Sequence, residues 1–329
     1  MKKKEIIRII ILVLIIILAG IRYHFRKVEF KQSEIILDTF IEINVVSKDK
    51  NVASTVEKAF HLIKRYENKL SYFDENSTLF KINESTSDSI MIDDDFYIIL
   101  SLADDLYTKT DLLYDITIGE LLDVWDFDKM IVPSEDAIQM ALSKTDFNRI
   151  SFTKNYLYNP QYLKITFGSI AKGFIIDKVV KFLQKNNVES GLINAGGDIK
   201  IFGKDKKIKI GIQHPRKEQN EVIEVVNIKN NSIVTSGDYE RVFEFEGKRY
   251  HHILNPKTGY PTDEMISITV IHPSALIADA YATGLFLLKP EKAIELAEKN
   301  VFMEVILYYE KDSEIKSLQT SGMGKYLEN

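Results

Sequence analysis

The stretch GSIAKGFIIDKVVKFLQKNNVESGLINAGGDIKIFG, residues 168–203, contains the change of pattern that decides the fold. Its first half repeats apolar residues every three or four positions, which predicts an amphipathic helix that ends near Asn187 and Gly191. Its second half places apolar runs on both sides of Gly196 and Gly197, which predicts two strands joined by a bulge or tight turn. The three-glycine spacing of a dinucleotide fingerprint is absent and no helix follows, so this is not such a fingerprint. The backbone there passes close to a ligand or to another strand.

The same two patterns recur outward from this stretch. Helical periodicity is present at residues 51–70, 93–111 and 274–288, the last with Ser274 as a possible N-cap. Strand-like alternation is present at residues 34–47, 241–254 and 301–312, and we expect each of these segments to form one strand. Strands and helices are interspersed with many hairpin-like neighbours. We therefore predict an α+β fold with mixed or antiparallel sheets and packed helices.

The composition excludes several classes of site and partner. The 329 residues carry a net charge of −5 and 45% apolar residues, values that are ordinary for a globular chain with a real core. No single-sign charge excess points to nucleic acid, and we predict no such partner. The chain has no cysteine, which rules out disulfides, Cys-ligated zinc and thiolate nucleophiles.

The N-terminal segment predicts a membrane anchor. Lysines at positions 2–4 precede a continuous apolar run over residues 9–21, which is slightly short for a spanning helix of ~20 residues. No small-residue cleavage site follows, so we expect residues 1–27 to form an uncleaved hydrophobic helix rather than a cleaved signal segment, which is the alternative, with the remaining domain over residues 34–329. Basic residues flank both ends of the run, so the positive-inside rule does not decide the orientation.

Two helical patterns could place an anion and a cation together. Asp279 and Thr283 are four residues apart, so both oxygens lie on one face of the predicted helix and could hold Mg²⁺ or simply hydrogen-bond locally. Gly168 and Ser169 open the other helix, whose N-terminus could hold phosphate or could be an ordinary cap beside Lys172.

Two adjacent histidines, His251 and His252, end an alternating segment. Adjacent residues of a strand point to opposite faces, so only one of the two can face a given pocket and paired zinc ligation is disfavoured. One of them could be a general base near neutral pH, or it could be a half-buried histidine with satisfied hydrogen bonds.

Together these segments resemble the ApbE family of flavin transferases. The resemblance runs from about residue 36 to the C-terminus and keeps the order of the family's motifs. The matching motifs are LSYFDENSTLFKIN (70–83), YDITIGELLDVWDF (114–127), GSIAKGFIID (168–177), INAGGDIKIFG (193–203), TSGDYERVFEFEGKRYHHILNPKTGYP (235–261) and SITVIHPSALIADAYATGLFLL (267–288). The resemblance implies the family's α+β architecture with FAD in a cleft between two lobes.

The resemblance also implies a metal centre and a base. Family members use Mg²⁺, and by position its ligands here would be Asp279, Thr283 and the backbone carbonyl of Ala171. His252 matches the family's histidine and is expected to accept the proton of the acceptor hydroxyl. Ser169, at the opening of the adjacent helix, would face the pyrophosphate of FAD.

Further residues are implied as contacts to FAD. Tyr72 or Phe73 is expected to pack against the flavin ring. Four residues are candidates either for polar contact with FAD or for a structural role: Asn83, Thr117, Lys172 and Asp177. Three more would frame the site around the base: Ser236, Gly237 and Asp238. The chain departs from many relatives at residues 37–39, where Leu-Asp-Thr replaces Met-Gly-Thr.

The implied activity is Mg²⁺-dependent transfer of FMN from FAD to a Thr or Ser hydroxyl of an acceptor protein, with release of AMP. Two alternatives remain open at this point. The same site could hydrolyse FAD to FMN and AMP, or the chain could be a membrane-anchored FAD-binding protein without catalysis. We expect the catalytic domain to lie on the extracytoplasmic side of the cytoplasmic membrane.

Overall fold

A computed structural model describes residues 4, 11–16, 26–217 and 221–328 of the chain. The strands are, in chain order, β1 (Val28–Ile36), β2 (Thr39–Ser47), β3 (Ser89–Met91), β4 (Ser151–Phe152), β5 (Tyr156–Tyr158), β6 (Val188–Ala195), β7 (Asp198–Phe202), β8 (Ile208–Gln213), β9 (Val222–Ile228), β10 (Ser232–Gly237), β11 (Val242–Phe245), β12 (Lys248–His251), β13 (Ser267–His272), β14 (Glu304–Lys311) and β15 (Glu314–Gln319). Eight of them form one sheet in the order β1–β2–β6–β7–β10–β13–β14–β15, and every neighbouring pair in it is antiparallel. Smaller antiparallel sheets pair β11 with β12, β8 with β9, and β5 with both β3 and β4.

The α-helices pack mainly on one face of the large sheet. Within the described ranges 26–217 and 221–328 they are α1 (Val52–Leu70), α2 (Thr78–Asn83), α3 (Asp94–Lys109), α4 (Gly119–Val124), α5 (Glu135–Leu142), α6 (Ala171–Lys185), α7 (Ala275–Phe286) and α8 (Pro290–Glu298). Helix α7 is central because its small buried residues, Ala278 and Ala282 among them, let α6 and strands β10 and β13 approach closely. The main hydrophobic core lies around this helix.

Two smaller cores complete the fold. The β8–β9 hairpin packs against the face of the large sheet that points away from the main core. The resulting cluster includes Ile201 of the sheet and Ile212 and Val226 of the hairpin. The other cluster surrounds Trp125 and joins α4 and α5 to the β11–β12 hairpin. This cluster, called the Trp125 lobe below, stands beside the main sheet and forms the second side of a cleft.

The expected single strands at residues 34–47 and 241–254 are both wrong, because each segment is a hairpin. In the first, Leu37 and Asp38 turn the chain with φ of 58° and 54°. In the second, Glu246 and Gly247 do so with φ of 51° and 75°. Positive φ at both central residues matches the twist of the flanking strands, so the alternation continues through a two-residue turn almost unbroken.

Other expectations are confirmed. Gly196 and Gly197 form the tight turn between β6 and β7, α6 is followed by Asn187 with φ of 61°, and the Ser274 hydroxyl caps α7. The predicted anchor at residues 1–27 lies largely outside the described residues. In the part of the chain that the structure describes, no helix has both the length and the apolar character needed to cross a membrane.

Candidate functional site

A cleft of about 1160 Å³ lies between the large sheet with its helices and the Trp125 lobe. Turns and helix ends supply its lining, with residues drawn from segments 37–39, 70–73, 113–115, 122–128, 166–172, 196–199, 239–241 and 252–254. The volume exceeds the ~300–1,000 Å³ typical of pockets for drug-sized ligands. The cleft is therefore large enough for a dinucleotide.

Two tight turns form one wall of the cleft. The Leu37–Asp38 turn and the Gly196–Gly197 turn both line it. A Cβ atom at Gly196 would lie 2.2 Å from the hydroxyl oxygen of Thr39, so the two turns touch and only glycine fits there. At Gly197, where φ is 102°, a Cβ would meet nothing within 4 Å, which leaves open space for a ligand against this backbone.

The predicted metal ligands lie where α7 meets the first turn of α6. Asp279 is buried, and its Oδ2 accepts a hydrogen bond of 2.7 Å from the backbone N–H of Gly173. Thr283, one helical turn further along α7, lines the cleft together with Ala171. The Thr283 hydroxyl oxygen lies 3.4 Å from that of Ser236.

Several ionisable side chains lie close together around the junction of α6 and α7, although some of them are buried. Lys172 forms an ion pair of 2.5 Å with Asp198, which is almost fully buried. Burial opposes the charged form of Lys172, but attraction to Asp198, Asp279 and Glu240 outweighs it and raises the lysine pKa. Burial raises the pKa of Asp279 above its usual range, with repulsion from Asp198 adding to the effect. Burial likewise raises the pKa of Glu240 to about 7.

The residues present fit a Mg²⁺ ion. Within the described ranges, no group of three or more His, Asp or Glu side chains is arranged to hold a metal. The set at α6 and α7 is of another kind: a carboxylate, a hydroxyl and a backbone carbonyl, all hard oxygen donors of the type Mg²⁺ prefers. The Gly173 N–H occupies Oδ2 of Asp279, and no donor among the described residues binds Oδ1. Oδ1 is therefore the oxygen available to a cation. A cation there would also relieve the repulsion between Asp279 and Asp198.

His252 lines the cleft immediately after β12. Its Nδ1 is buried without a hydrogen-bond partner among the described residues, and its backbone N–H donates to the carbonyl of Arg241. Burial lowers the pKa of His252 to about 3, with further contributions from the neighbouring His251 and Arg241. The imidazole is therefore neutral at pH 7, the form that a general base needs, although burial makes it a weaker base than an exposed histidine.

His251 has the opposite environment. Its Nε2 lies 2.6 Å from the carbonyl oxygen of Thr262, and its Nδ1 accepts a hydrogen bond from the backbone N–H of Ile253. Both ring nitrogens are used within the protein, and burial lowers the pKa of this histidine too. The two adjacent histidines thus point to different sides, and only His252 faces the cleft.

Tyr72 and Phe73 both line the cleft, in the loop that follows α1. The Tyr72 hydroxyl donates a hydrogen bond of 2.8 Å to Asp123, which also pairs with Lys164 at 2.5 Å. Phe73 stacks edge-on against Tyr72 and leaves 65% of its surface exposed. An exposed aromatic ring inside a cleft offers a surface for a planar ligand.

Ser169 and Lys172 also line the cleft, near the start of α6. The Ser169 hydroxyl donates to the hydroxyl oxygen of Tyr114 at 2.8 Å. Helix α6 itself begins at Ala171, two residues later than the Gly168–Ser169 opening that the sequence suggests. In the turn ahead of the helix, the Gly168 N–H donates to the Thr166 hydroxyl, and the N–H groups of Ile170 and Ala171 donate to the carbonyl of Phe167.

The structure does not bring three of the predicted contact residues to the cleft lining. Asn83 uses its side-chain amide to bind both the N–H and the carbonyl of Ile165. The buried Thr117 donates to Asp115 at 2.6 Å. Asp177 accepts hydrogen bonds from the first residues of α7. Each of these side chains is committed to holding the protein together.

The segment Ser236–Asp238 also lies outside the cleft lining. Asp238 forms a bidentate ion pair with Arg216, at 2.7 and 2.6 Å. A Cβ at Gly237 would lie 2.6 Å from the ring of Tyr239, which itself lines the cleft. These residues support the cleft wall from behind.

Asp198 and Glu240 are site residues that sequence reasoning missed. Asp198 follows directly after the Gly196–Gly197 turn, and Glu240 lies two residues after the Ser-Gly-Asp turn. A carboxylate next to a turn that approaches a ligand is a usable signal, but their common partner Lys172 is distant in sequence from both.

Comparisons with known proteins agree with this geometry. The model of the ApbE family matches residues 37–307. The FAD:protein FMN transferase of Treponema pallidum is 30% identical over 293 residues, 82% of this chain and 81% of that protein. The corresponding protein of Haemophilus influenzae is 33% identical over 274 residues, 77% of this chain and 79% of that one.

Solved structures show the same similarity in three dimensions. The crystal structure of the ApbE protein from Thermotoga maritima superposes with a TM-score of 0.82 at 30% identity, covering 92% of this chain and 100% of that chain. The flavinyl transferase ApbE of Pseudomonas stutzeri, in its apo form, gives a TM-score of 0.79 at 25% identity over 92% of this chain and 97% of that chain.

Proposed function

The chain belongs to the ApbE family, and from this premise we propose that it transfers FMN from FAD to a Thr or Ser hydroxyl of an acceptor protein and releases AMP. Relatives that span most of this chain are FAD:protein FMN transferases. The observation that carries the proposal is the cleft itself. It brings the neutral His252, the exposed Phe73 and two of the α6–α7 oxygen donors, those of Thr283 and Ala171, to one cavity of dinucleotide size. The third donor, Asp279, is buried one helical turn before Thr283 and is not part of the cleft lining.

The reaction balances as a single displacement at phosphorus. The acceptor hydroxyl oxygen forms a bond to the phosphorus of the FMN half, and the bond from that phosphorus to the bridging oxygen breaks. AMP leaves with the bridging oxygen, and the hydroxyl proton passes to His252. Because Nδ1 of His252 is shielded by protein, Nε2 is the nitrogen left to take this proton.

Mg²⁺ would be held by Asp279, Thr283 and the carbonyl of Ala171, and when bound it would neutralise charge on the diphosphate. The chain's own residues do the remaining work. Lys172 adds a fixed positive charge beside the same junction, and the Ser169 side chain lines the cleft where it would orient a phosphate oxygen. Catalysis of this type depends chiefly on positioning and charge neutralisation.

An assay with FAD, Mg²⁺ and a candidate acceptor domain tests the proposal. A fluorescent acceptor band on a denaturing gel, with AMP released in equal amount, is expected. AMP and free FMN without a labelled protein would favour the hydrolase alternative. A non-catalytic FAD-binding protein would release no AMP, and its FAD affinity would be indifferent to Asp279→Ala.

His252→Ala tests the role of the base. We expect it to retain FAD and to slow transfer by ~10²-fold or more, the usual scale for loss of a general base. Asp93→Asn, which alters a helix cap that is not part of the cleft lining, serves as the matched control and should transfer at the wild-type rate. A His252→Ala protein that transfers at full speed would show that the proton goes elsewhere.

The N-terminal segment supports a location at the membrane. The apolar run over residues 9–21, with lysines ahead of it, is the feature that carries this part of the proposal. The catalytic domain would then lie on the extracytoplasmic side of the cytoplasmic membrane, where it would meet its acceptor. Fractionation of cells and protease treatment of intact spheroplasts test this. Cleavage of the domain only after lysis would contradict it.

A further inference from the structure

Helices α6 and α7 each provide the carboxylate that caps the N-terminus of the other. Asp177 of α6 accepts hydrogen bonds from the backbone N–H groups of Ala275 and Leu276, at 3.0 and 3.1 Å, and from the Ser274 hydroxyl at 2.5 Å. Asp279 of α7 accepts the N–H of Gly173 in the first turn of α6. Carboxylates are favourable at these positions because helix N-termini carry free N–H groups and a positive dipole end.

The two caps are spaced so that they fix the helices against sliding. Gly173 and Asp177 are four residues apart on α6, and Ala275 and Asp279 are four apart on α7, so each pair spans about one helical turn. At the crossing itself, a Cβ on Gly173 would lie 2.2 Å from the carbonyl oxygen of Ala275. The backbones are in contact there, with one carboxylate bridge on each side of the contact.

A buried lysine reinforces the Asp177 bridge. The Nζ of Lys200 lies 3.9 Å from Asp177 and donates a hydrogen bond to the carbonyl of Pro273, just before α7 begins. Lys200 is 7% exposed and Asp177 is not part of the cleft lining. The bridge joins a buried lysine to a half-buried carboxylate and is separate from the surface that would contact FAD.

Resting on the proposed function, we propose that Asp177 is a positioning residue for the metal site. The predicted oxygen ligands come from two helices: Ala171 on α6, and Asp279 and Thr283 on α7. Mg²⁺ demands near-ideal octahedral geometry at about 2.0–2.1 Å, whereas a slide of one residue moves a helix by about 1.5 Å. Asp177 holds the two helices in the register that brings the three oxygens to one point, although it touches neither metal nor substrate.

Mn²⁺ binding, followed by electron paramagnetic resonance of the free ion, tests this without any turnover. Asp177→Asn keeps the size of the side chain but replaces one acceptor oxygen with a donor. We expect it to weaken Mn²⁺ binding by about tenfold or more, the scale seen when groups that support metal ligands are lost. In the transfer assay the Mg²⁺ concentration for half-maximal rate should rise by a similar factor, and excess Mg²⁺ should restore most of kcat.

Asp93→Asn is the matched control, since Asp93 caps α3 with hydrogen bonds to the N–H groups of Asp95 and Phe96. It makes the same chemical change in a carboxylate that caps a helix other than α6 and α7, and it should leave Mn²⁺ affinity unchanged. If Asp177→Asn does not fold, Ser274→Ala decides, because it removes one hydrogen-bond partner of Asp177 together with the side-chain cap on the Ile277 N–H; its Mn²⁺ affinity should fall by less than the factor of about ten expected for Asp177→Asn.

If folded Asp177→Asn binds Mn²⁺ with unchanged affinity, the inference is overturned and the transferase proposal stands. The same holds for Ser274→Ala if Asp177→Asn does not fold. Wild-type protein that binds Mn²⁺ but labels no acceptor and releases no AMP contradicts the proposed function instead. In that case a weakened Asp177→Asn would still support Asp177 as the residue that positions a metal site. Wild-type protein that binds no Mn²⁺ at all overturns both.

Discussion

His252 should make the free protein lose stability as the pH falls, and this follows directly from its burial. In the folded chain burial lowers the pKa of His252 from 6.5 to about 3, so the folded protein keeps the imidazole neutral across the acidic range. The unfolded chain takes up this proton near pH 6.5. Because the unfolded state then binds more protons, stability falls as the pH drops through 6.5 and the loss levels off near pH 3.

The expected size follows from the proton linkage. Each pH unit over which only the unfolded state is protonated corresponds to about 1.4 kcal/mol. Between pH 7 and pH 5 the His252 contribution is therefore about 2 kcal/mol of unfolding free energy. His251 and His272 have pKa values lowered by burial as well, so they add losses of the same sign in the wild-type protein. Comparison with His252→Ala isolates the part that belongs to His252.

Urea denaturation of the full-length protein in EDTA, followed by circular dichroism at pH 7 and pH 5, measures this difference. Wild-type protein should lose about 2 kcal/mol more than His252→Ala over that interval. The variant's own stability at pH 7 does not matter, since only the change with pH is compared. Equal losses in the two proteins would refute the burial of an uncharged His252, and with it the description of the base.

Three further predictions rest on particular contacts. Gly173→Ala should lower the unfolding free energy by about 1–3 kcal/mol in the same urea denaturation, because the new Cβ would lie 2.2 Å from the carbonyl oxygen of Ala275. Gly324→Ala is the control, since its Cβ would meet no atom within 4 Å, and its unfolding free energy should be nearly unchanged. Trp125 is the only tryptophan and lines the cleft, so FAD should quench the intrinsic tryptophan fluorescence on titration, and an unquenched signal at saturation would place FAD elsewhere. Gly197→Ala should lower stability by about 1–2 kcal/mol, since φ of 102° disfavours a side chain; a thermal melt equal to wild type would contradict this.

The elements with long, regular patterns could be predicted from sequence, and those that depend on turns could not. Helix α6 with its exit at Asn187 and helix α7 with its Ser274 cap have local signals that agree with the structure. The turns at Leu37–Asp38 and Glu246–Gly247 keep the apolar alternation going, and three of these four residues are not glycine. A local pattern cannot distinguish such a hairpin from one long strand.

The site divides in the same way. Asp279 and Thr283 are four residues apart on one helix, so their common face could be predicted from spacing, whereas their role as metal ligands is implied by the resemblance to the family. Asp177 could not be assigned, because the groups it binds are nearly one hundred residues away in the chain. Asp198 and Glu240 approach Lys172 only in the folded protein. Their effect on the charge of the cleft therefore could not be predicted from the sequence.

The central claim is that α6 and α7 hold a divalent ion against the diphosphate of FAD. The most direct test is the anomalous scattering of Mn²⁺ in crystals of His252→Ala protein grown with Mn²⁺ and FAD. The account predicts a peak about 2–2.3 Å from Asp279 Oδ1, from the Thr283 hydroxyl and from the Ala171 carbonyl, in contact with the diphosphate. Bound FAD with the metal held by Asp198 and Glu240 instead, or with no ordered metal, would contradict it.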